Sequence, residues 1–414
     1  MNKYLIIVLL IFPFVNKSFS QSKNTLSSSP YSLYGLGISN ELNTGKTNAL
    51  GRTGIALTSS ISINNLNPAS YAAIPLNRFF YDVGLQYEIN ELEDKGGEDI
   101  QKNGNFSNLA FALPLNKRSG IGLSLLPYTR IGYSISGFES SIEGSTNTYY
   151  TSINGYGGLN DLKLSYGYAL LDNLRLGATA SVLFGKVTET ETNVISTNTL
   201  LLKEDNHYSG FRLGLGVQYD ISKALSIGSI INLPTILKGD QYQEVYQYYY
   251  GTLISSVDDQ NDIPSFSLPL EIGVGFNARV LKYLSITGDY RREFWNTTTQ
   301  TDGIGTYIDK DFFGVGADFT PGGNHLVYAN HIRYRAGFNY DSGNLIVAGN
   351  PVSNFALSLG LGLPTKTGSN SMFNLMYSYG TKGQVSDGLI KEKYHLLSLN
   401  LSLEDIWFLK PKFD

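Results

Sequence analysis

Hydrophobic and polar positions alternate with a period of two along most of the chain from residue 79 onward. Phe79, Tyr81, Val83, Leu85, Tyr87 and Ile89 share one face of an extended segment, and Asp82, Gly84, Gln86 and Glu88 share the other. That is the period of a strand, not of a helix. The alternation returns at 109–115, 121–135, 158–170, 174–188, 211–219, 225–237, 266–276, 284–294, 332–340, 344–349, 355–363, 373–379 and 394–403. Together these segments predict about fourteen strands, an even number, as single-chain bacterial barrels have. Short turns near 116, 172, 222, 281, 342 and 366 alternate with connections at about 90–105, 136–157, 189–207, 239–263, 296–327 and 381–390, mostly long and polar. A soluble sandwich shares the period but gives no reason for the long-short alternation. The pattern therefore predicts an all-β protein, a transmembrane antiparallel barrel with short periplasmic turns, long outer loops and both termini in the periplasm.

Residues 1–20 read as a secretory signal peptide, with Lys3, an apolar run over 4–15, and Ser18-Phe19-Ser20 ahead of Gln21. That run is too short to span a bilayer, and no later segment reaches 18 uninterrupted apolar residues. Forty-four Gly, 29 Tyr and 21 Phe beside 16% charged residues suit strands more than helices. A net charge of −4 offers no basic patch for nucleic acid. The absence of cysteine removes disulfides, thiolate metal sites and a lipoprotein anchor. His207, His325, His331 and His395 are scattered without metal-ligand spacing, and no GxSxG motif occurs. The expectation is a protein without enzymatic activity, cofactor or metal, the one enzymatic alternative being an outer-membrane lipase whose Ser–His pair meets only in space.

The stretch 51–74, GRTGIALTSSISINNLNPASYAAI, precedes the strand series and is small, Gly/Ser/Asn-rich and nearly uncharged. Its glycines permit close backbone approach and Pro68 fixes its own φ, which suits a plug inside a barrel or an ordinary surface loop. Asn67-Pro68-Ala69 after Gly51 and Gly54, with the phrases SLPLEIGVGFNARV (267–280), LSITGDYRREFW (284–295), HIRYRAGFNYDSG (331–343) and LSLGLGLPT (357–365), resembles the long-chain fatty-acid transporter (FadL-like) family of outer-membrane proteins over most of residues 50–403. The resemblance implies a partition into a signal peptide (1–20), an N-terminal hatch (21–76) gated around Gly51, Gly54, Asn67, Pro68 and Ala69, a barrel (77–404) and a periplasmic tail (405–414). It also implies passive uptake of hydrophobic small molecules, with outer-membrane lipids and the ligand as partners. A second reading makes the chain a non-transporting subunit or shuttle of an outer-membrane secretion or assembly complex.

Three groups of residues carry the candidate chemistry. Pro127 gives the third strand no ladder N–H, so that strand bulges or kinks there; the family implies a lateral hole at such a kink, with Pro127 and Arg130 beside it. Leu200, Leu201 and Leu202, together with Tyr246, Tyr248, Tyr249 and Tyr250, fall in two long connections. They are read either as tall strand continuations or, following the family, as an outer hydrophobic groove. By parity Glu271, Asp289, Arg291, Arg333 and Arg335 point inward from the eighth, ninth and tenth strands, with Glu271 expected opposite about residue 290. These charges either pin the inner wall or, through Arg333 or Arg335, receive a substrate carboxylate.

Overall fold

A computed structural model describes residues 27–40, 43–141, 148–298, 300, 305–322, 326–367, 369–386 and 389–406. The expected signal peptide, His325 and nearly all of the expected C-terminal tail lie outside these residues. The alternating segments become fourteen wall strands: β1 Arg78–Glu93, β2 Glu98–Asn116, β3 Ser119–Pro127 with Thr129–Ser141, β4 Thr148–Ala169, β5 Leu174–Ile195, β6 Asn198–Asp220, β7 Leu225–Asn232 with Thr235–Tyr249, β8 Thr252–Leu268 with Glu271–Leu281, β9 Leu284–Glu293, β10 Lys310–Phe319, β11 Arg333–Asp341, β12 Asn354–Pro364, β13 Met372–Lys382 and β14 Lys391–Ile406. Each strand pairs antiparallel with the next, and β1 pairs with β14 (Val83↔Leu401), so the sheet closes and loses its edges at that level.

Parity decides what each face meets. Leu213, Leu215 and Val217 of β6, Leu357 and Leu359 of β12, and Leu397 and Leu399 of β14 stand exposed on the outside. Gln86, Ser165, Gln218 and Ser358 alternate with such residues and are buried inside. An apolar band on a closed, hydrogen-bonded sheet is what a hydrocarbon environment demands.

The strand number agrees with the sequence pattern, but two of its members differ. Residues 310–319, expected within a long insert, form β10, paired to β9 and β11. Residues 344–349 are not a wall strand: Leu345–Val347 joins Thr306–Tyr307 and Asn350–Pro351 in a separate three-stranded sheet. Leu345 and Val347 are apolar because they pack on Tyr31 and Val352, not because they face lipid. The turn after Asp341 therefore lies at the end of the barrel opposite the other short turns, and Arg333 and Arg335 sit on the eleventh strand.

The expected long connections are mostly strand as well. β5 and β6 are separated only by Ser196 and Thr197, and β7 and β8 only by Tyr250 and Gly251. These strands rise far past the apolar band, with water on both faces, so their sequence loses the alternation that marks a half-buried strand.

Residues 27–40 and 43–76 lie within the barrel as short 3₁₀ turns (Pro30–Leu33, Gly45–Ala49, Pro68–Ala73), a two-residue strand (Ile38–Ser39) and extended links. Leu50, Ile55, Ala56 and Tyr71 are almost fully buried there.

Leu215→Arg, in the middle of the β6 band, is expected to destabilise the folded barrel by about 2–4 kcal/mol. Urea unfolding in lipid vesicles measures it; a variant as stable as the native chain would contradict the assignment of faces.

Candidate functional site

The inner segment is held by a wall stripped of side chains where the two meet. Gly120 of β3, Gly167 of β4, Gly177 of β5 and Gly216 of β6 are direct cross-strand partners in one continuous row. The row resumes one step away at Gly228 of β7 facing Gly275 of β8, and at Gly316 of β10 facing Gly337 of β11. A Cβ added at Gly167 would lie 2.6 Å from the Ala72 nitrogen, and one at Gly228 2.6 Å from the Ile55 carbonyl oxygen. Carbon contacts are comfortable only from about 3.5 Å. The backbone of residues 49–72 thus rests directly on the wall.

Polar side chains fix it in register. Asp289 of β9 accepts the backbone amides of Gly54 (2.6 Å) and Ile55 (3.0 Å) at one oxygen. Asp82 of β1 accepts the Gly45 amide at 3.2 Å, and its carboxylate is further held by Asn108, Asn400 and Ser402. Gln218 donates to the Ile55 carbonyl (2.9 Å) and accepts from Thr58 (2.9 Å). Asn67 caps the Pro68–Ala73 turn by accepting from the Ala69 amide (3.0 Å), while its Nδ2 reaches the Ile55 and Val217 carbonyls. Asn, followed by a proline that lacks an amide, suits such an N-terminus.

The third strand breaks where proline predicts. Ser119–Pro127 pairs with β2 as far as Leu109↔Leu125; above that level, among the described residues, no ladder joins β2 to β3. The seam is filled from inside: Ile38 pairs with Arg130 and Ser39 with Thr129, and Asn40 donates to the Pro127 carbonyl (3.0 Å, side chain) and to the Tyr128 carbonyl (2.9 Å, backbone). Gly157 and Gly158 of β4, at φ +118° and +144°, let β4 follow the break. Arg130 is buried and donates to Glu88 at 3.4 Å. Beside the seam lies a cavity of about 400 Å³ bordered by Pro30, Leu33, Leu92, Tyr133, Ile135 and Ile390.

The remaining expected residues separate. Glu271 faces Glu293, not residue 290, because the β8–β9 turn closes on Leu281↔Leu284 with a bulge. Its carboxylate accepts from Asn232 (2.9 Å) and stands 3.9 Å from Arg212. Arg291 lies over the Phe312 ring at 3.9 Å. Arg333 and Arg335 share Asp318 at 3.8 and 3.7 Å, and Arg335 donates to Asn374 at 2.7 Å. Lys46 of the inner segment joins them, and its ammonium is pushed down to about 7, chiefly by burial, with Asp318 opposing the fall and the two arginines adding to it. The groove residues are split by strand parity, since Leu202↔Val245 and Leu201↔Tyr246 are adjacent pairs. Leu200, Leu202 and Tyr249 share the face that continues the lumen, Leu201, Tyr246 and Tyr248 share the outer face, and Tyr250 forms the turn at φ +48°. On the lumen face Ile135, Ile153, Glu191, Leu202, Val245 and Val257 are cross-strand partners in one row. It leads down toward Leu183, Leu237, Phe266 and Trp295, packed with Leu36 of the inner segment.

Asp82, Gln218 and the Ile38–Asn40 patch were absent from the sequence candidates. Asp82 and Gln218 carried a signal, as polar residues at inward positions of apolar strands; residues 38–40 act mainly through backbone bonds, with one from the Asn40 side chain, and carried none.

The family model described as BamG matches residues 1–414. The chain belongs to the BamG family. No curated protein matches it. Among solved structures, this BamG-family chain is similar to the Pseudomonas putida toluene transporter TodX (14% identity, 90% of this chain and 100% of that one, TM-score 0.62). It is also similar to the Ralstonia pickettii toluene transporter TbuX (15%, 88% and 98%, 0.57) and a Pseudomonas aeruginosa FadL homologue (13%, 88% and 99%, 0.59). The FadL-like resemblance thus holds as a likeness of fold, while the matching family model is BamG.

Asp289→Ala removes the acceptor of two buried amides, a loss of about 1–3 kcal/mol for each group left unsatisfied. Limited proteolysis of the membrane-embedded chain is expected to cut residues 51–57 faster in this variant, and more slowly again in Asp289→Asn, which keeps an acceptor oxygen. Identical cleavage in all three proteins would contradict the latch.

Proposed function

We propose that this BamG-family chain is an outer-membrane channel for passive uptake of hydrophobic small molecules, such as fatty acids or hydrocarbons, which leave sideways through the wall. The observation that carries this reading is the seam at Pro127, where the wall lacks a ladder and is filled by the inner segment, through residues 38–40 at Pro127–Arg130 and Ser32 at Gly132. The likeness in fold to two toluene transporters and a FadL homologue supports it.

In this reading the end of the barrel carrying Arg78 and Ile406 faces the periplasm, as expected after a signal peptide, and the tall strands face outward. Solutes land on the row of the tall sheet, apolar but for Glu191, pass Phe266 and Trp295, and reach the cavity beside Tyr133 and Ile135. Residues 21–76 act as the hatch, with Gly51, Gly54 and Asn67-Pro68-Ala69 as its contacts with the wall, and Arg130 steadies the kink through Glu88. A sideways exit spares an apolar solute exposure to water, worth about 25 cal/mol per Å². Arg333 and Arg335, held by Asp318 and Asn374, pin the wall around Lys46.

A second reading, a non-transporting subunit or shuttle of an outer-membrane complex, is favoured by a different observation: the inner segment is latched by Asp82 and Asp289 and embedded in the glycine row, which suits a permanent filling.

Pro127→Val restores an amide that favours closing the seam, and deleting Asn67-Pro68-Ala69 loosens the hatch. Both barrels are expected to remain folded, shown by heat-modifiable migration, while uptake of a fluorescent fatty acid or small aromatic falls at matched surface abundance. Unchanged uptake in both would sink the lateral exit and favour the complex-subunit reading.

A further inference from the structure

Above the level of Pro127 the wall is an open sheet. The upper part of β3, strands β4 to β7 and the first piece of β8 continue upward together, and residues 252–263 of β8 pair with β7 alone. Every residue from Thr252 to Asp262 is exposed. Gln260 gives its backbone amide to the Asp259 carboxylate (2.9 Å) in place of a neighbouring strand, and Pro264 has no amide to give. By the alternation of an antiparallel ladder, residues 256, 258, 260 and 262 turn their backbone groups away from β7. The edge is long and carries Leu253, Ile254 and Val257, all exposed, which makes it a template for a further strand.

Its charge selects the occupant. Asp258, Asp259 and Asp262 stand on the edge, and among the described residues no cation pairs with them; the ion pairs of this sheet, Lys186–Asp205 and Lys203–Glu244, lie on β5 to β7. A second copy would set these aspartates against their own kind, and the opposite margin of the sheet carries Glu139. We propose that residues 256–262 form a docking edge for an extended cationic segment of a partner protein, added as a strand beside β8. This holds whether or not the barrel transports.

The probe is a synthetic peptide of alternating Lys and Val, about ten residues long to match a strand, titrated against the full chain in neutral detergent. Ser256→Pro deletes one outward amide and leaves the β7 ladder intact, and its fold is checked by heat-modifiable migration. Binding is expected to weaken about tenfold in Ser256→Pro, the equivalent of one hydrogen bond, and by at least as much in Asp258→Asn combined with Asp262→Asn. In cells, a photo-crosslinking residue at Gln260 is expected to trap another protein in the native background and to lose that adduct in Ser256→Pro. Peptide binding unaffected by Ser256→Pro, no binding to the native chain, or adducts only with a second copy would each overturn the proposal.

Discussion

The fold depends on one contact above the others, the backbone of the inner segment lying against glycines of the wall. A barrel of this strand number cannot fill its lumen with its own side chains, so the space is taken by residues 27–40 and 43–76. An extended chain has room against a curved wall only where the wall carries no Cβ, and the paired row from Gly120 to Gly216 supplies that room over four consecutive strands. Where the row is interrupted, at β9, the residue is Asp289, whose carboxylate takes the two amides that approach it.

The seam follows from the same arrangement. Breaking β3 frees carbonyls and amides that a low-dielectric surrounding would penalise by a few kcal/mol each. Residues 38–40 answer them at Pro127, Tyr128 and Arg130, and Ser32 at the Gly132 amide, so the inner segment fills the lumen and completes the wall at once. One element with both tasks couples them: in the proposed transport reading, a displacement of residues 38–40 would loosen the seam while residues 54, 55 and 67 stay latched to β6 and β9. Transport and assembly readings differ in whether that displacement occurs in the membrane.

Much of the architecture was legible in the period-two alternation, because lipid outside and a packed lumen inside act on opposite faces of every strand. β10 escaped because it is short and its inward face mixes Lys310 and Asp318 with Phe312, Gly314 and Gly316, which leaves Phe313, Val315, Ala317 and Phe319 as an inconspicuous outer row within a polar insert. Residues 345–347 misled for the converse reason, being apolar through contact with Tyr31. Pro127 announced its kink through its missing amide. The register of Glu271 was not legible, since the β8–β9 turn lies at Lys282-Tyr283, beyond 281, and a bulge near Leu281 moves every partner above it by one position. Nor were residues 38–40, whose bonds to β3 run largely through the backbone, apart from the Asn40 side chain, across about ninety positions of sequence. The glycine row could have been found by asking what stands at the inward parity of successive strands, a question that composition alone does not raise.

The natural chain has no cysteine, so a single engineered pair can lock the seam. Ile38→Cys with Arg130→Cys places two thiols at directly paired positions, within the spacing that a disulfide needs. Uptake of a fluorescent fatty acid, measured in cells before and after reduction, tests the central claim that residues 38–40 close the wall and must move for a solute to leave. If residues 38–40 gate the exit, the oxidised protein is folded and closed and reduction restores uptake. Equal uptake by the oxidised and reduced forms, with the disulfide confirmed, would contradict it.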